Sequence, residues 1–274
     1  MNAYVAFTQP IRAEIIRLTP DKARELLASS RGNRPITSKH VAFLARQIAD
    51  GRWKLNGEAL IVDQSNRLID GHHRCHAVIK SGAAIDVLTV RNVDSGAFQT
   101  INTGRVRSAS DVLSISGALP THFNLAAATA RLMLAYKTLP DGITCDAYNS
   151  ARFDNESIDL EVKSWGNKVD ILHAVSCANG NALRRAGTSA AAMLLHDVDA
   201  EKSSKWLTGV LTGENLTSTD PRYVYRERII NRGKIIRPTE VFICAMKSAR
   251  AFLLGHEMKM IRYGWGETFP RLPK

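Results

Sequence analysis

The chain has 274 residues, with 45% hydrophobic and 23% charged residues, a composition typical of a globular protein with a sizeable core. No apolar run approaches the roughly 18 residues of a membrane span, and the first residues lack a signal-peptide pattern, so we expect a cytoplasmic protein with no membrane partner. The 37 Lys and Arg against 26 Asp and Glu give a net charge of +11, which favours polyanion partners. A basic, solvated surface without any partner is the alternative.

Four cysteines, Cys75, Cys145, Cys177 and Cys244, are scattered through the chain and form no C-x-x-C pair. This spacing argues against a disulfide framework and against a cysteine-rich zinc module. We therefore expect reduced thiols with mostly structural roles.

The N-terminal part begins with a predicted strand over residues 12–18, followed by a helix start at Thr19-Pro20-Asp21. That helix is expected to end near Ala28. A second helix is predicted from Thr37 or Ser38 to about Asp50. Its apolar face has helical spacing and comprises Val41, Leu44, Ala45 and Ile48.

Residues 59–82 have the layout of an anion site. A strand over 59–63, a polar turn and the short run Leu68-Ile69 lead to Gly71, and a helix is predicted over 72–80. A helix N-terminus presents backbone N–H groups to an anion, and a glycine permits close approach. Arg74 would add a bidentate grip on phosphate.

A second phosphate site is predicted after the strand at 85–90 and a short helix at 94–99. Arg105 and Arg107 lie in a glycine-centred loop, and Ser108 with Asp111 forms a capping box that starts the next helix. Two solvated arginines on a loop are the alternative.

The run Asp70-Gly71-His72-His73-Arg74 resembles the signature box of the ParB/sulfiredoxin superfamily, closest to its Asp-Gly-Gln-His-Arg form. Asn33-Arg34-Pro35 stands where ParB has its first box, and residues 56–62 where the family has the preceding strand. Asn102-Thr103-Gly104-Arg105 falls where ParB has a phosphate-contacting box. The resemblance covers residues 12–115 and implies a protein of plasmid, phage or DNA-modification settings.

The fold class implied is α+β/α: a ParB/sulfiredoxin-like α/β nucleotide-binding domain over 1–117, then a mainly helical, basic nucleic-acid- or partner-binding domain over 118–274. The implied cofactors are Mg²⁺ and a nucleoside triphosphate, ATP or CTP. Glu58 and Asp70 would bind the metal and, with His72 and His73, form the catalytic set. The predicted phosphate-binding residues are Gly71, His72, His73, Arg74, Asn102, Thr103, Gly104 and Arg105.

Other chemistries for this box stay open. Sulfiredoxin chemistry would use Cys75, because the family's cysteine aligns with His72, which also replaces the ParB glutamate. A metal site would use His72 and His76, four residues apart on one helix face, with Cys75 or His73 beside them. In the simplest alternative, His73 and His76 only satisfy backbone groups.

Beyond Gly117 the pattern is helical, and residues 222–274 hold twelve Lys and Arg against four Glu, a net of 12 − 4 = +8. Tyrosines and a tryptophan are interleaved with these cations, which suits nucleic acid, although a helical core under snorkelling cations has the same pattern. Helices are predicted over 125–137, 160–175, 182–195, 202–211, 222–231 and 238–254, and a strand or extended arm over 257–263. The predicted nucleic-acid contacts are Arg107, Arg226, Arg228, Arg232, Lys234 and Arg237.

These patterns predict a nucleotide-binding, DNA-associated protein with Mg²⁺-dependent hydrolysis or phosphoryl chemistry. An NTPase, a nuclease and a phosphotransferase all fit the box. The first alternative is a catalytically inactive DNA-binding or regulatory protein of the same fold. The second is a kinase or transferase that acts on a small molecule or modified base. A homodimer is compatible with each.

Overall fold

The computed structural model describes residues 10–30, 36–99, 108–145, 148, 151–178, 182–231, 237–264 and 266–273. The chain divides into two compact units, Met1–Arg105 and Val106–Lys274. The sequence placed the boundary at Gly117, so helix α4 (Ala109–Ser116) lies in the second unit instead of the first. The predicted mixture of strands and helices is confirmed.

A four-stranded sheet forms the centre of the N-terminal unit. Its strands are β1 (Arg12–Leu18), β2 (Leu60–Asp63), β3 (Leu68–Asp70) and β4 (Ile85–Val93), in the order β1-β4-β2-β3. β2 runs parallel to β4, and the other two pairs are antiparallel. The sheet is therefore mixed, and the short hairpin β2–β3 forms one edge.

Three helices of the N-terminal unit pack with this sheet around one core: α1 (Pro20–Ala28), α2 (Ser38–Ala49) and α3 (His72–Ser81). Thr19 caps α1 by accepting from the Lys22 amide at 3.3 Å, as its sequence predicts. The apolar face predicted for α2 points inward, since Val41, Ala45 and Ile48 are buried. Burial of the α2 and α3 faces holds the start of α3 in place.

The turn between β2 and β3 is closed by a buried acid. Asp63 accepts from the amides of Ser65 and Arg67 at 2.8 and 2.9 Å, from Arg67 Nε at 2.9 Å and from Ser95 Oγ at 2.9 Å. Burial raises the pKa of Asp63, but these hydrogen bonds outweigh it and hold the pKa below its ordinary value. The carboxylate therefore stays ionised and fixes the hairpin.

The C-terminal unit is built mainly of helices. Ser108 and Asp111 form the predicted capping box at the start of α4. After α4 the helices are α5 (Phe123–Thr138), α6 (Asn155–Lys163), α7 (Val169–Ser176), α8 (Ala186–Val198), α9 (Ala200–Thr212), α10 (Pro221–Ile230) and α11 (Pro238–Leu253). No helix among the described residues is long and apolar enough to cross a bilayer.

The prediction of a single helix over 160–175 is wrong, because the chain forms two helices there. A 3₁₀ turn, Gly166–Lys168, separates α6 from α7. Gly166 has φ +55°, a left-handed conformation that an α-helix cannot contain. The apolar periodicity continues across this turn, so the pattern alone did not show the break.

Helix α8 lies at the centre of the C-terminal core. Its residues from Ala186 to Leu195 are all buried, and most are small. A Cβ on Gly187 would lie 2.6 Å from the Phe242 backbone nitrogen, so the backbones of α8 and α11 meet there without an intervening side chain. Close contact of two backbones requires small residues at the crossing.

The C-terminal segment is anchored on this unit. The predicted extended arm at 257–263 has no regular strand, and a single bridge pairs Thr268 with Thr144. Phe269 stacks on Tyr148 with ring centroids 4.2 Å apart. The Arg271 guanidinium donates to the carbonyls of Tyr136 and Leu139, so the segment is fixed by both packing and hydrogen bonds.

Candidate functional site at the start of helix α3

Gly71 joins β3 to α3 and has a structural reason to be glycine. Its φ is +105°, and an added Cβ would lie 2.2 Å from Leu60 Cδ2. A side chain at this position would therefore be strained and would collide with β2. Gly71 brings the first turn of α3 tightly against the β2–β3 hairpin.

Arg74 points into the unit and not toward an open ligand site. Its Nη1 donates to the Glu58 carbonyl, and its Nη2 donates to the Ala59 carbonyl at 2.7 Å and to Asp70 Oδ2 at 3.3 Å. Its side chain is only 10% exposed. Binding of a phosphate by Arg74, as predicted, would require these hydrogen bonds to break, because the guanidinium already binds the segment that precedes β2.

The predicted metal pair does not fit Mg²⁺ in this arrangement. Asp70 Oδ2 is paired with the positive Arg74 guanidinium, which would repel a divalent cation at the same oxygen. Glu58 is exposed and contributes its backbone carbonyl to Arg74. Hard cations need several converging oxygen ligands, and this pair does not supply them.

His72 is half-buried, and its Nε2 contacts the Ser30 hydroxyl. Burial lowers the pKa of His72, and the nearby Asp70 raises it less than burial lowers it. His76 and His73 lower it further. His72 is therefore neutral at pH 7 and can accept a proton.

His73 is oriented by the start of α2. Its Nε2 accepts from the Thr37 amide at 3.1 Å, which assigns the proton of the neutral ring to Nδ1. The His40 ring meets it edge-on with centroids 5.2 Å apart. Polar groups from the segment after α1, from the start of α2 and from α3 thus gather beside the first turn of α3, namely Ser30, Thr37, His40, His72 and His73.

Cys75 is not available for chemistry. It is fully buried, and burial raises its pKa to about 12. A buried thiol that stays protonated at neutral pH is a poor nucleophile, which argues against the sulfiredoxin alternative. The described residues contain no group of three His, Cys, Asp or Glu side chains arranged to hold a metal ion.

Several predicted site residues lie outside the described residues. They belong to the ParB-like box at 33–35, to the predicted phosphate-binding loop at 102–107 and to the predicted nucleic-acid contacts. The residues are Asn33, Arg34, Pro35, Asn102, Thr103, Gly104, Arg105, Arg107, Arg232 and Lys234. Their roles stay predictions.

Two of the predicted nucleic-acid contacts make internal contacts in the C-terminal unit. Arg226 Nη1 donates to the carbonyls of Val210 and Leu211 at 2.7 and 2.9 Å, near the end of α9. Arg228 is paired with the mostly buried Glu240 at 3.0 Å. These arginines satisfy a helix end and a buried acid, so their first role is structural.

Four cations in and after α11, and at its start, are exposed instead. Arg237 is exposed at the start of α11, and Arg250, Lys259 and Arg262 are exposed as well. Within the described part of the chain, none of the four has an acidic partner within 4 Å. The last three were missed from sequence, because charge composition does not distinguish a paired cation from a solvated one.

Comparison with known proteins found no matching family model, no matching curated protein and no matching solved structure. The similarity to the ParB/sulfiredoxin superfamily therefore rests on the sequence boxes themselves. The functional proposal for this protein is therefore based on those boxes and on the geometry around α3.

Proposed function

We propose that the N-terminal unit binds the phosphates of a nucleoside triphosphate at the start of α3, and that the protein associates with DNA. One observation carries the proposal: two imidazoles and a hydroxyl, from His72, His73 and Ser30, collect beside a helix N-terminus whose N-cap is glycine. Helix N-termini favour anions. The ParB/sulfiredoxin-like box at the same residues points to the same ligand class.

The residues take different roles in this proposal. His73 donates from Nδ1 to a phosphate oxygen, because its Nε2 is occupied by the Thr37 amide. His72 is neutral and accepts a proton from the attacking hydroxyl or water, or through Ser30. Arg74 shapes the site by tying α3 to the segment before β2. Mg²⁺ enters only as a counter-ion of the nucleotide.

A catalytically inactive DNA-binding protein of the same fold is the competing proposal, and the histidine at the ParB glutamate position supports it. A kinase or transferase is the third, and it predicts a small-molecule pocket beside Glu58. Measurement of nucleotide turnover separates them, since binding without turnover favours the inactive protein.

Calorimetric titration of the full chain with CTP and ATP, with and without Mg²⁺, tests the site. We expect saturable binding, and a decrease of at least about tenfold in affinity for His73→Ala, the equivalent of one charge-assisted hydrogen bond. His196→Ala, in the C-terminal unit, is the matched control and should bind like the wild type. Absence of saturable heat with either nucleotide, or equal affinity for both variants, would overturn the site.

Substitution of His72 by glutamine separates binding from chemistry. The His72→Gln side chain can still hydrogen-bond to Ser30 but cannot take up a proton. Nucleotide affinity should stay within about threefold while any turnover falls by about 10²-fold or more. Unchanged turnover would remove His72 from the reaction.

The salt dependence of DNA binding tests the second half of the proposal. Removal of one cation that binds a DNA phosphate should reduce the slope of log K against log salt by about 0.9. We expect a reduced slope for the triple variant Arg250→Ala, Lys259→Ala, Arg262→Ala. Lys205→Ala, whose lysine is paired with Glu201 on the surface, is the control. An unaltered slope in the triple variant would exclude these cations from the interface.

A further inference from the structure

The two edges of the sheet in the N-terminal unit differ in how they are protected. β3, at one edge, has only three residues, and the pairing of β2 with it is interrupted by a shift in register. β1, at the other edge, has seven residues and pairs with β4 without a shift. Short strands and bulges prevent an edge from pairing with another chain, whereas a long, regular edge strand permits it. No strand among the described residues lies on the outer side of β1, so this edge can accept a further strand.

One face of β1 carries an exposed apolar row. Ile16 and Leu18 pack in the core of the unit, so the alternate residues of the strand face away from that core. These are Ala13 and Ile15, with Ile11 directly before the strand. Ile15 is 63% exposed and Ile11 is 49% exposed. Two large apolar side chains on an edge strand, with a small one between them, are suited to contact with a second apolar row.

The other face of the same segment carries two exposed charges of opposite sign, Arg12 and Glu14. Arg12 lies opposite Arg91 of β4, and like charges in that position repel each other. The Glu14 carboxylate lies 3.1 Å from Arg91 Nε and is still 54% exposed, so it has room for a second cation. In the part of the chain that the structure describes, Arg12 has no acidic partner within 4 Å. Each charge therefore lacks what the other supplies.

A second copy of β1 supplies both charges if the two strands run antiparallel about a two-fold axis. Residues directly opposite each other then point to the same face of the sheet. With Ala13 opposite Ala13 of the second copy, Arg12 lies opposite Glu14 and Ile11 lies opposite Ile15, each pair occurring twice. A register centred on Arg12 or on Glu14 would place like charges opposite each other, and one centred on Ile15 would form no ion pair. The strand is thus complementary to itself in one register.

We propose that β1 is the edge at which two copies of this chain pair, in the register centred on Ala13, to form one continuous sheet. Twofold dimers are the commonest protein assemblies. The pairing covers only residues 11–15 of each copy, which is less than the roughly 800 Å² per partner of a standard interface. The dimer is therefore weak and reversible, and it forms with or without nucleotide.

Sedimentation of the full chain at concentrations up to about 500 µM detects a dissociation constant as weak as about 1 mM. Arg12→Glu should weaken association by at least about tenfold, because it turns two attractive pairs into repulsive ones. It should leave the single chain as stable as the wild type, since it also removes the repulsion from Arg91. The double variant Arg12→Glu, Glu14→Arg exchanges the charges and should restore association to within about threefold of the wild type.

The matched control is Lys22→Glu, an equal change of charge at an exposed position in the first turn of α1, which should associate like the wild type. The proposal is overturned if the wild type stays monomeric over the whole range or if Arg12→Glu associates like the control. A double variant that associates no better than Arg12→Glu would overturn it as well, because a charge effect on the single chain would not be rescued by the exchange.

Disulfide cross-linking tests the register. The background is Cys177→Ser, because Cys177 is the exposed thiol of the native chain. Ala13→Cys places two thiols directly opposite each other, with Cα atoms about 5 Å apart, which a disulfide can bridge. Ile15→Cys, on the same face of the same strand, places them about 14 Å apart. We expect diamide to cross-link the first variant into dimers and not the second. The opposite result, or no cross-link in either variant, would overturn the proposed pairing.

Discussion

Replacement of Arg74 by alanine is expected to loosen the N-terminal unit. The guanidinium supplies hydrogen bonds to the Glu58 and Ala59 carbonyls and to Asp70. A partly buried acceptor left without its donor costs about 1–2 kcal/mol, the lower part of the range for buried groups. The pair with Asp70, which is 26% exposed, adds less than about 1 kcal/mol. Removal of both hydrogen bonds to carbonyls should therefore reduce local stability by about 2–4 kcal/mol.

Amide hydrogen exchange followed by mass spectrometry on the full chain measures this effect locally. A decrease of about 2–4 kcal/mol corresponds to exchange faster by about 30- to 1,000-fold at about 1.4 kcal/mol per decade. We expect this increase in peptides that cover β2 and α3. Peptides of the C-terminal unit should keep their protection, because none of the three acceptors belongs to it.

The matched control is Arg17→Ala, which removes an arginine from an exposed ion pair of the same unit. Arg17 and Asp86 are 3.2 Å apart and more than half exposed, so the change should cost less than about 1 kcal/mol. If Arg74→Ala leaves β2 and α3 as protected as Arg17→Ala does, the guanidinium has no structural role. Its assignment as a ligand contact would then be restored.

Three further changes have expected outcomes in urea unfolding. Gly71→Ala should destabilise the protein by several times the roughly 1 kcal/mol expected for Gly82→Ala. Both glycines have positive φ, but only Gly71 also lies against Leu60. Equal urea midpoints for the two variants would contradict this. The pKa of Asp63 is lower in the folded state than in the unfolded chain, so its carboxylate contributes fully to the free energy of unfolding above about pH 4, and this contribution is lost as the pH falls through the folded pKa. The difference in stability between the wild type and Asp63→Asn should therefore shrink in acid. A difference that does not change with pH would refute this role of Asp63. Arg226→Ala should lower stability by about 1–3 kcal/mol by freeing the carbonyls at the end of α9, and weaker DNA binding at unchanged stability would show the reverse role.

Elements with local signals could be predicted from the sequence. The cap at Thr19 and the capping box at Ser108 and Asp111 form as their side chains specify. The apolar spacing of α2 likewise showed which of its faces is buried. These features depend on neighbours within one or two helical turns, so a short window of sequence contains all the information they need.

Prediction of the site requires contacts between residues that are far apart in the sequence, and a short window of sequence does not contain them. Ser30 and His72 are 42 positions apart, and the sequence around each residue does not predict their contact. The sequence around Arg74 does not show whether its side chain faces solvent or, as it does, the segment that leads into β2. Only the packing of α3 against the hairpin decides the direction of that side chain, and packing depends on the whole unit.

Helix α8 implies an unusual pattern of tolerance to substitution. In most cores, truncating a large side chain is the damaging change. Here the buried stretch 186–192 of the central helix contains only small residues, and Gly187 leaves the Phe242 backbone almost no clearance. A saturation library over 186–192 should therefore be depleted most strongly in bulky substitutions, and tolerated exchanges there should be among small residues such as glycine, alanine, serine and threonine.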